Sequence, residues 1–345
     1  MKNKELAKEV PIIEKFDGGC SQVRSLDSDE QILTDEWSGL EPTKKKMGLV
    51  QLTLDKGVKT TVVGTIYGLD FEIETDDYFV KLFFDYYNKR LKVLDYTAKN
   101  YHLLIKKLAY LAEANDFDKI FVKAIPNDFQ QWLSHGYMME GILKYFFEGK
   151  DAYVLSYFRT DKRIQSKNLM AEAKLIEELL YNTKPKKIRP LDPKLEIRLG
   201  TKENISDLIT IYRSVFDTYP SPLTNPDYIK STMDRNVIFR LAYLDDVAIA
   251  AASAEIDFKN SNAELTDCAT TPEAQGKGVM QHLLIQLEND LREKKIKTGY
   301  TMARAMSFGM NCSFMRLGYE FSGRLINNCD IFGQFEDINI WVKKL

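Results

Sequence analysis

The sequence predicts an α+β protein of two domains on one plan, each a mixed, mostly antiparallel sheet flanked by helices. Three observations carry this. In the second half, strand-like runs alternate with helical runs around one strand–turn–helix unit, Glu264–Leu287. Between the halves, TKPKKIRPLDPKL places Pro185, Pro190 and Pro193 close together among lysines, a stiff linker and the clearest boundary in the chain. The halves also echo each other. His102-Leu103-Leu104-Ile105 returns as His282-Leu283-Leu284-Ile285 at an offset of 180. A strand ending at Ala124 returns as one ending at Ala305 at 181, and Gly136-Tyr137 with Gly141 returns as Gly318-Tyr319 with Gly323 at 182. Three ordered matches at nearly one offset favour a duplicated fold.

The chain divides into a polar arm (1–47), a first domain (48–160), a helix with the Pro-rich linker (161–194) and a second domain (195–345). The arm carries Gly18-Gly19 and Lys44-Lys45-Lys46, shows no sustained period and reads as loose polypeptide. Residues 58–67 are β-branched and read as a strand. The spacing then predicts a helix over 78–87, a strand over 90–96, and a helix over 101–114 with Leu104, Ile105, Leu108, Leu111 and Ala112 on one face. A strand at 119–124, a helical turn at 129–133 ended by Gly136, and strands at 137–147 and 151–158 follow. Residues 164–181 read as one amphipathic helix. The second domain reads as strand 195–199, helices 202–216 and 226–234, strands 236–244, 247–258 and 262–270, helix 277–293, strand 297–304, helix 308–316, and strands 318–328 and 335–344.

Composition narrows the function. Of 345 residues, 44% are hydrophobic and 28% charged, enough for a buried core in a globular protein. The net charge of −2, with neither half strongly basic, argues against a nucleic-acid partner. Cys20, Cys268, Cys312 and Cys329 form no CxxC pair and have no histidine cluster, so neither a disulfide framework nor a metal site is expected. The charged N-terminus is no signal peptide, and no apolar run is long enough for a membrane span, so a cytoplasmic protein is expected.

Within Glu264–Leu287, residues 263–270 read as a strand, Pro272, Gly276 and Gly278 as a turn, and Val279, Leu283, Leu284 and Leu287 as the apolar side of a helix. A helix start has free amides and the positive dipole end, and glycines let a phosphate approach that backbone. No Lys-Ser/Thr follows the second glycine as in a Walker loop, and the third glycine of a dinucleotide fingerprint is missing. The first half has Asp95–Tyr101 at the corresponding place, with no glycine and an acidic residue. That copy is expected to bind no pyrophosphate and to serve as a structural partner or as one wall of an acceptor pocket.

These residues resemble the pyrophosphate loop of the GNAT acyltransferases, Gln/Arg-x-x-Gly-x-Gly/Ala, with Gln275, Gly278 and Met280 at its three positions. Met280 departs from the small residue usual there. Leu317-Gly318-Tyr319 is similar to the family's leucine–glycine–aromatic ending. More narrowly, YNKRLKVLDY, GYMMEGILKYFFEGKDAYVLSYF, VFDTYPSP and the C-terminal GYEFSGRLINNCDIFGQFEDINIWVK resemble the β-lysine Nε-acetyltransferases. The resemblance implies tandem GNAT-like domains with a degenerate first copy, and an acetyl-CoA-dependent N-acetyltransferase. It implies β-lysine as acceptor, supplied by a lysine aminomutase, and a product that is a compatible solute in osmoadaptation.

An amine of pKa about 10.4 is neutral in only about one part in 2,500 at pH 7, so a base or a desolvated pocket is required. Glu264 and Asp267 stand on the strand entering the loop. Three apart, they face opposite sides of an ideal strand, and only one reaches a cleft unless a bulge intervenes. Each remains a candidate base, as the family carries one on this strand. The resemblance implies cofactor contacts from Cys268, Ala269 and Thr270, from Gln275, Gly276, Lys277, Gly278, Val279 and Met280, and from Ser307, which replaces a common asparagine. It puts Phe314, which has no proton to give, where many members carry an acidic tyrosine. Asp217 and Tyr219 in FDTYPSP could hold an ammonium, and Arg213 or Arg304 a carboxylate. Another small amine as acceptor, a tRNA-dependent aminoacyl transferase and a non-catalytic acetyl-CoA sensor remain alternatives.

Overall fold

The computed structural model describes residues 22–24, 48–64, 68–182, 188 and 190–345. The polar arm, apart from 22–24, and most of the Pro-rich linker lie outside the described residues.

In the first half, β1 (Gln22–Arg24), β2 (Gly48–Asp55) and β3 (Val58–Gly64) form a small sheet in the order β1-β3-β2. Then come β4 (Leu69–Glu74), β5 (Tyr78–Asp85), β6 (Arg90–Ala98), α1 (Tyr101–Ala114), β7 (Lys119–Ala124), α2 (Phe129–Ser134), β8 (Met138–Phe147) and β9 (Lys150–Phe158). The short α3 (Asp161–Ile164) and α4 (Leu169–Glu177), which continues as a π-turn over Glu178–Asn182, lead to the second half. There β10 (Leu195–Leu199), α5 (Ile205–Val215), α6 (Pro226–Arg235), β11 (Val237–Leu244), β12 (Val247–Asp257) and β13 (Asn262–Thr270) precede α7 (Val279–Glu293). The chain ends with β14 (Thr298–Arg304), α8 (Phe308–Arg316), β15 (Glu320–Ile331) and β16 (Gln334–Lys344).

Two expectations in the first half are corrected. Residues 78–87 are not a helix: β5 lies between β4 and β6, and Val80, Leu82 and Phe84 are buried at period two. Aromatic and β-branched residues suit that pleated surface. The helix expected over 164–181 is broken, with α3 capped by the Thr160 hydroxyl and α4 starting after Asn168.

Thirteen strands make one sheet in the order β10-β11-β12-β13-β14-β16-β15-β8-β9-β7-β6-β5-β4. It is mostly antiparallel, with parallel pairs only at β13–β14 and β6–β7. Read outward from the β8–β15 seam, the two sides have the same strand order and each has one helix, α1 or α7, joining its parallel pair. At the seam Gly141 pairs with Gly323, the two glycines matched in the repeat. A methyl on Gly141 would meet Ile340 Cδ1 at 2.8 Å and Ser322 O at 2.9 Å, and one on Gly323 would overlap the Glu140 and Gly141 backbone. Gly323 also has φ +145, a region that side chains disfavour. Gly323→Ala is therefore expected to cost about 3 kcal/mol or more, read as a fall in the urea midpoint. Gly309→Ala in α8, where nothing lies within 4 Å of a new methyl, should leave the midpoint nearly unchanged or raise it.

A buried polar network locks the seam. Lys119 Nζ donates to Glu140 and to Ile326 O at 2.9 Å, while the Ile326 amide donates to Glu140 Oε1 at 2.6 Å. Arg90 pairs with Asp85 at 2.7 Å and donates to Asn328 O, and Asn88 Oδ1 accepts from the Asp330 amide at 2.8 Å. Residues 326–328 sit in a bulge of β15, which turns their backbone groups toward these first-half partners. The network ties the two halves together across the seam.

Candidate active site

The second half opens where β13 and β14 part. They pair only over Asn262–Glu264 and Thr298–Tyr300, although β13 runs on to Thr270 and β14 to Arg304. Beyond that point the facing edges have unpaired backbone groups, which need a partner. A crevice at the carboxyl ends of parallel strands is a usual ligand position in α/β sheets.

One rim of the crevice is the glycine turn. Gly276 and Gly278 have φ +74 and +81, and a Cβ on either would meet nothing. Gly278 is the N-cap of α7 and no side chain caps the helix, so its first-turn amides face out. Gln275 Nε2 reaches Thr270 O at 3.4 Å, and Gly276 and Lys277 are exposed. The side chains of Val279 and Met280 are buried in the core, so only their amides are offered to a ligand. Met280, the departure from the small residue usual in the resembled loop, thus turns its side chain into the core. The other rim is Ser307 at the N-cap of α8. Asn311, which the sequence did not single out, holds this turn. Its Nδ2 donates to Arg304 O at 2.9 Å and Ser307 O at 2.7 Å, and its Oδ1 accepts from Asn339 and Trp341.

The first half parts likewise beyond Val93 and Val122, yet its crevice is filled. Tyr96 Oη bonds to Asp128 at 3.0 Å and Trp132 Nε1 at 3.2 Å, Tyr101 also bonds to Asp128, and Trp132 is fully buried. The Asn100 side chain caps α1 by accepting from the Leu103 amide. The helix start that is open in α7 is thus closed in α1.

A bulge does intervene on β13. Ser253 pairs with Thr266 and Ala251 with Ala269, so Asp267 and Cys268 together oppose Ala252, with Asp267 at φ +50. The bulge breaks the strict alternation between Glu264 and Asp267. Asp267 is buried and accepts hydrogen bonds from Ser253 Oγ at 2.7 Å and from Tyr219. Burial pushes its carboxyl up to about 6, against the pull of those two hydroxyls and with a smaller push from Glu264. Glu264 bonds to the Tyr300 phenol and stands directly across from Glu255 of β12. Glu255 is exposed, so solvent screens the charges around it in part. Desolvation, then the charges of Glu264 and Asp267, push its carboxyl up to about 7. Neither Glu255 nor Glu264 is ion-paired among the described residues. Burial raises the Cys268 thiol far above its ordinary value, and Asp267 adds to this, which favours the unreactive thiol form. Ala269 is buried beside it.

Opposite this acidic face stands the first half. Lys123 of β7 places Nζ 4.6 Å from the centre of the Phe146 ring and 5.4 Å from that of Tyr300, and among the described residues it donates only to Tyr300 Oη, at 3.5 Å. Burial pushes it down to about 8, partly offset by Glu264. Lys92 of β6 lies over Phe83 and acts on Glu255.

The expected acceptor residues divide. Tyr219 is brought to the site, its phenol held protonated by burial and by the Asp267 charge. Asp217 in the same segment is exposed and not part of the cluster. Arg304 is corrected: both its Nε and Nη2 donate to Glu336, at 2.5 and 2.6 Å, so its fork is occupied. Arg213 is exposed on α5. Phe314 is fully buried against Tyr319 and is a core residue. The sequence reading missed Glu255, Tyr300, Lys92 and Lys123. The hairpin tip at 258–261 was a signal for Glu255, since it sets 255 opposite 264. Nothing local marked the two lysines.

Among the described residues no cluster of His, Cys, Asp and Glu could hold a metal, and no helix is long and apolar enough to cross a membrane. A model of the acetyltransferase (GNAT) family matches residues 204–319. A β-lysine N(6)-acetyltransferase of Methanosarcina mazei is 36% identical over 258 residues, 69% of this chain and 95% of that one. The N-acetyltransferase YodP of Bacillus subtilis is 35% identical over 76% of this chain and 94% of its own. A β-lysine N(6)-acetyltransferase of Methanococcus maripaludis is 34% identical over 70% and 87%. The open helix start beside a parted strand pair and these likenesses lead to one assignment: the chain belongs to the GNAT family and is an acetyl-CoA-dependent N-acetyltransferase.

Proposed function

We propose that the protein transfers acetyl from acetyl-CoA to the ε-amino group of β-lysine. The observation that carries this is the group Glu255, Glu264 and Asp267, three neighbouring carboxylates with no cation paired to them in the described residues. Like charges so close raise one another's pKa and favour a bound cation, and a diamine supplies two. The names of two relatives, β-lysine N(6)-acetyltransferase, point the same way.

In this reading the amides of 276–280 hold the pyrophosphate and the open edge of Cys268, Ala269 and Thr270 pairs with pantetheine, with Ser307 on the far rim. Glu255 and Glu264 hold the acceptor's β-ammonium. Asp267, oriented by Ser253 and Tyr219, accepts the proton that the ε-amine loses as the C–N bond forms and the C–S bond breaks. Phe314 cannot protonate the thiolate, which takes its proton from solvent. Residues 48–160 and 195–345 are two GNAT-like domains, the first degenerate and closed to acetyl-CoA by Tyr96, Tyr101 and Trp132, with 161–194 between them. The reaction follows a lysine aminomutase in the cytoplasm and yields a compatible solute.

The test is acetyl-CoA turnover with β-lysine, α-lysine, ornithine and simple diamines. β-Lysine should be the best acceptor, and mass spectrometry should place the acetyl group on the ε-nitrogen. Acetylation at the β-nitrogen would reverse the pocket and remove Glu255 and Glu264 as its ammonium end. Equal rates with every amine would remove β-lysine as the acceptor.

A further inference from the structure

We propose that the acceptor is a zwitterionic diamino acid whose carboxylate is bound by Lys123, so that the half without a phosphate loop supplies the element that selects amino acids over plain amines. This rests on the acetyl-transfer reading of the same cleft.

The argument begins with two lysines of β7. Lys119 and Lys123 are four apart on a strand and therefore on one face. Lys119 is fully buried and its ammonium is satisfied by Glu140 and by Ile326 O. Lys123 stands toward the cleft and has no carboxylate partner among the described residues. Its ammonium has three donors, one long bond to Tyr300 Oη, and two aromatic faces. A partly desolvated cation held in this way is short of an anion. The cation–π contacts fix its position without using its hydrogen bonds.

A single phenol links it to an acidic group. Tyr300 contacts Lys123 on one side and Glu264 on the other. Glu264 faces Glu255 across the strands. A ligand that spans this arrangement meets an ammonium site on the second half and a carboxylate site on the first, bridged by Tyr300. Of the cationic alternatives, Arg304 has its fork bound to Glu336, and Arg213 is exposed on α5. Lys92 adds positive field on the Lys123 side but lies over Phe83, one strand further from Tyr300.

The test compares each acceptor with the same molecule lacking its carboxylate: β-lysine with 1,4-diaminopentane, α-lysine with 1,5-diaminopentane. The wild type should favour the amino acid in kcat/KM. Lys123→Met should lower kcat/KM for the amino acid by about 10- to 100-fold, mainly through KM, the range for a hydrogen bond to a charged group. The diamine should lose much less than the amino acid or gain, and circular dichroism should show the variant folded as the wild type is. Lys123→Arg should restore part of the preference. Equal losses for amino acid and diamine would make Lys123 a support for Tyr300 and overturn the proposal, as would a wild type that handles the diamines equally well. If α-lysine rather than β-lysine is the substrate and shows the same dependence on Lys123, the β-lysine assignment fails and this one stands. If no amino acid is acetylated, both fall.

Discussion

Gly278→Asp is expected to lower acetyl-CoA affinity by at least about 100-fold while the fold survives. Gly278 is the N-cap of α7 at φ +81, with open space where a side chain would stand. The new carboxylate would not clash with the protein. It would occupy the space beside the first-turn amides and accept their hydrogen bonds, as Asn100 does at α1. A pyrophosphate would then meet a like charge in place of free donors, and juxtaposed like charges cost several kcal/mol. Loss of a glycine at positive φ adds a smaller penalty, since aspartate tolerates this region better than most residues. Calorimetry should give one acetyl-CoA per wild-type chain and no measurable binding for the variant, with similar thermal unfolding. A stoichiometry of two would show that the crevice filled by Tyr96, Tyr101 and Trp132 can open. Unchanged affinity in the variant would remove the loop as the phosphate site.

How far the sequence disclosed this arrangement depends on the range of the forces involved. The second half was legible because its elements are set by local periodicity and turn chemistry: 195–199 and 262–270 were read as strands with the bounds the structure has. In the first half 101–114 and 119–124 were read with equal accuracy, whereas 78–87 was taken for a helix. That segment has aromatic residues at six of its ten positions, in adjacent pairs, which hides a period of two. Strand β4 was not read at all. The glycines at offset 182 were visible as a match, but not that they would touch each other, because contact between repeats is tertiary. The same holds at the site. Alternation put Glu264 and Asp267 on opposite faces, and one extra residue opposite Ala252 changed that. Lys123 and Glu264 come from different halves, and only the docking at the seam brings them to one cleft.

The bulge makes its own prediction. Asp267→Asn is expected to lower kcat by about 10²- to 10⁴-fold, the range for a general base, with acetyl-CoA binding nearly intact. Glu264→Gln, by contrast, should act mainly on acceptor KM, because Glu264 pairs with Tyr300 and faces Glu255 rather than the parted strands. The pH dependence follows from the direction of the shift. With its carboxyl raised to about 6, Asp267 is protonated and unable to accept a proton at lower pH, so wild-type kcat should fall as pH drops through about 6. The asparagine variant should lack that limb, and its residual rate should rise with pH as the amine loses its proton. Stability should move the opposite way. The folded state binds this proton more tightly than the unfolded state, whose pKa is near the ordinary 3.8. The stability that protonation gives is fully present below that value and is lost as pH rises through about 6. At pH 8 the buried charge costs on the order of 3 kcal/mol. Asp267→Asn removes that charge and keeps a group able to bond with Ser253 and Tyr219. The variant should therefore unfold at higher denaturant than wild type at pH 8, and the difference should shrink toward pH 4. A carboxylate kept only for structure would show the reverse, with stability lost and the rate little changed. Should both variants keep their rates within about tenfold of wild type across pH 6–9, below the range for a general base, desolvation of the amine would do the work and neither carboxylate would be the base.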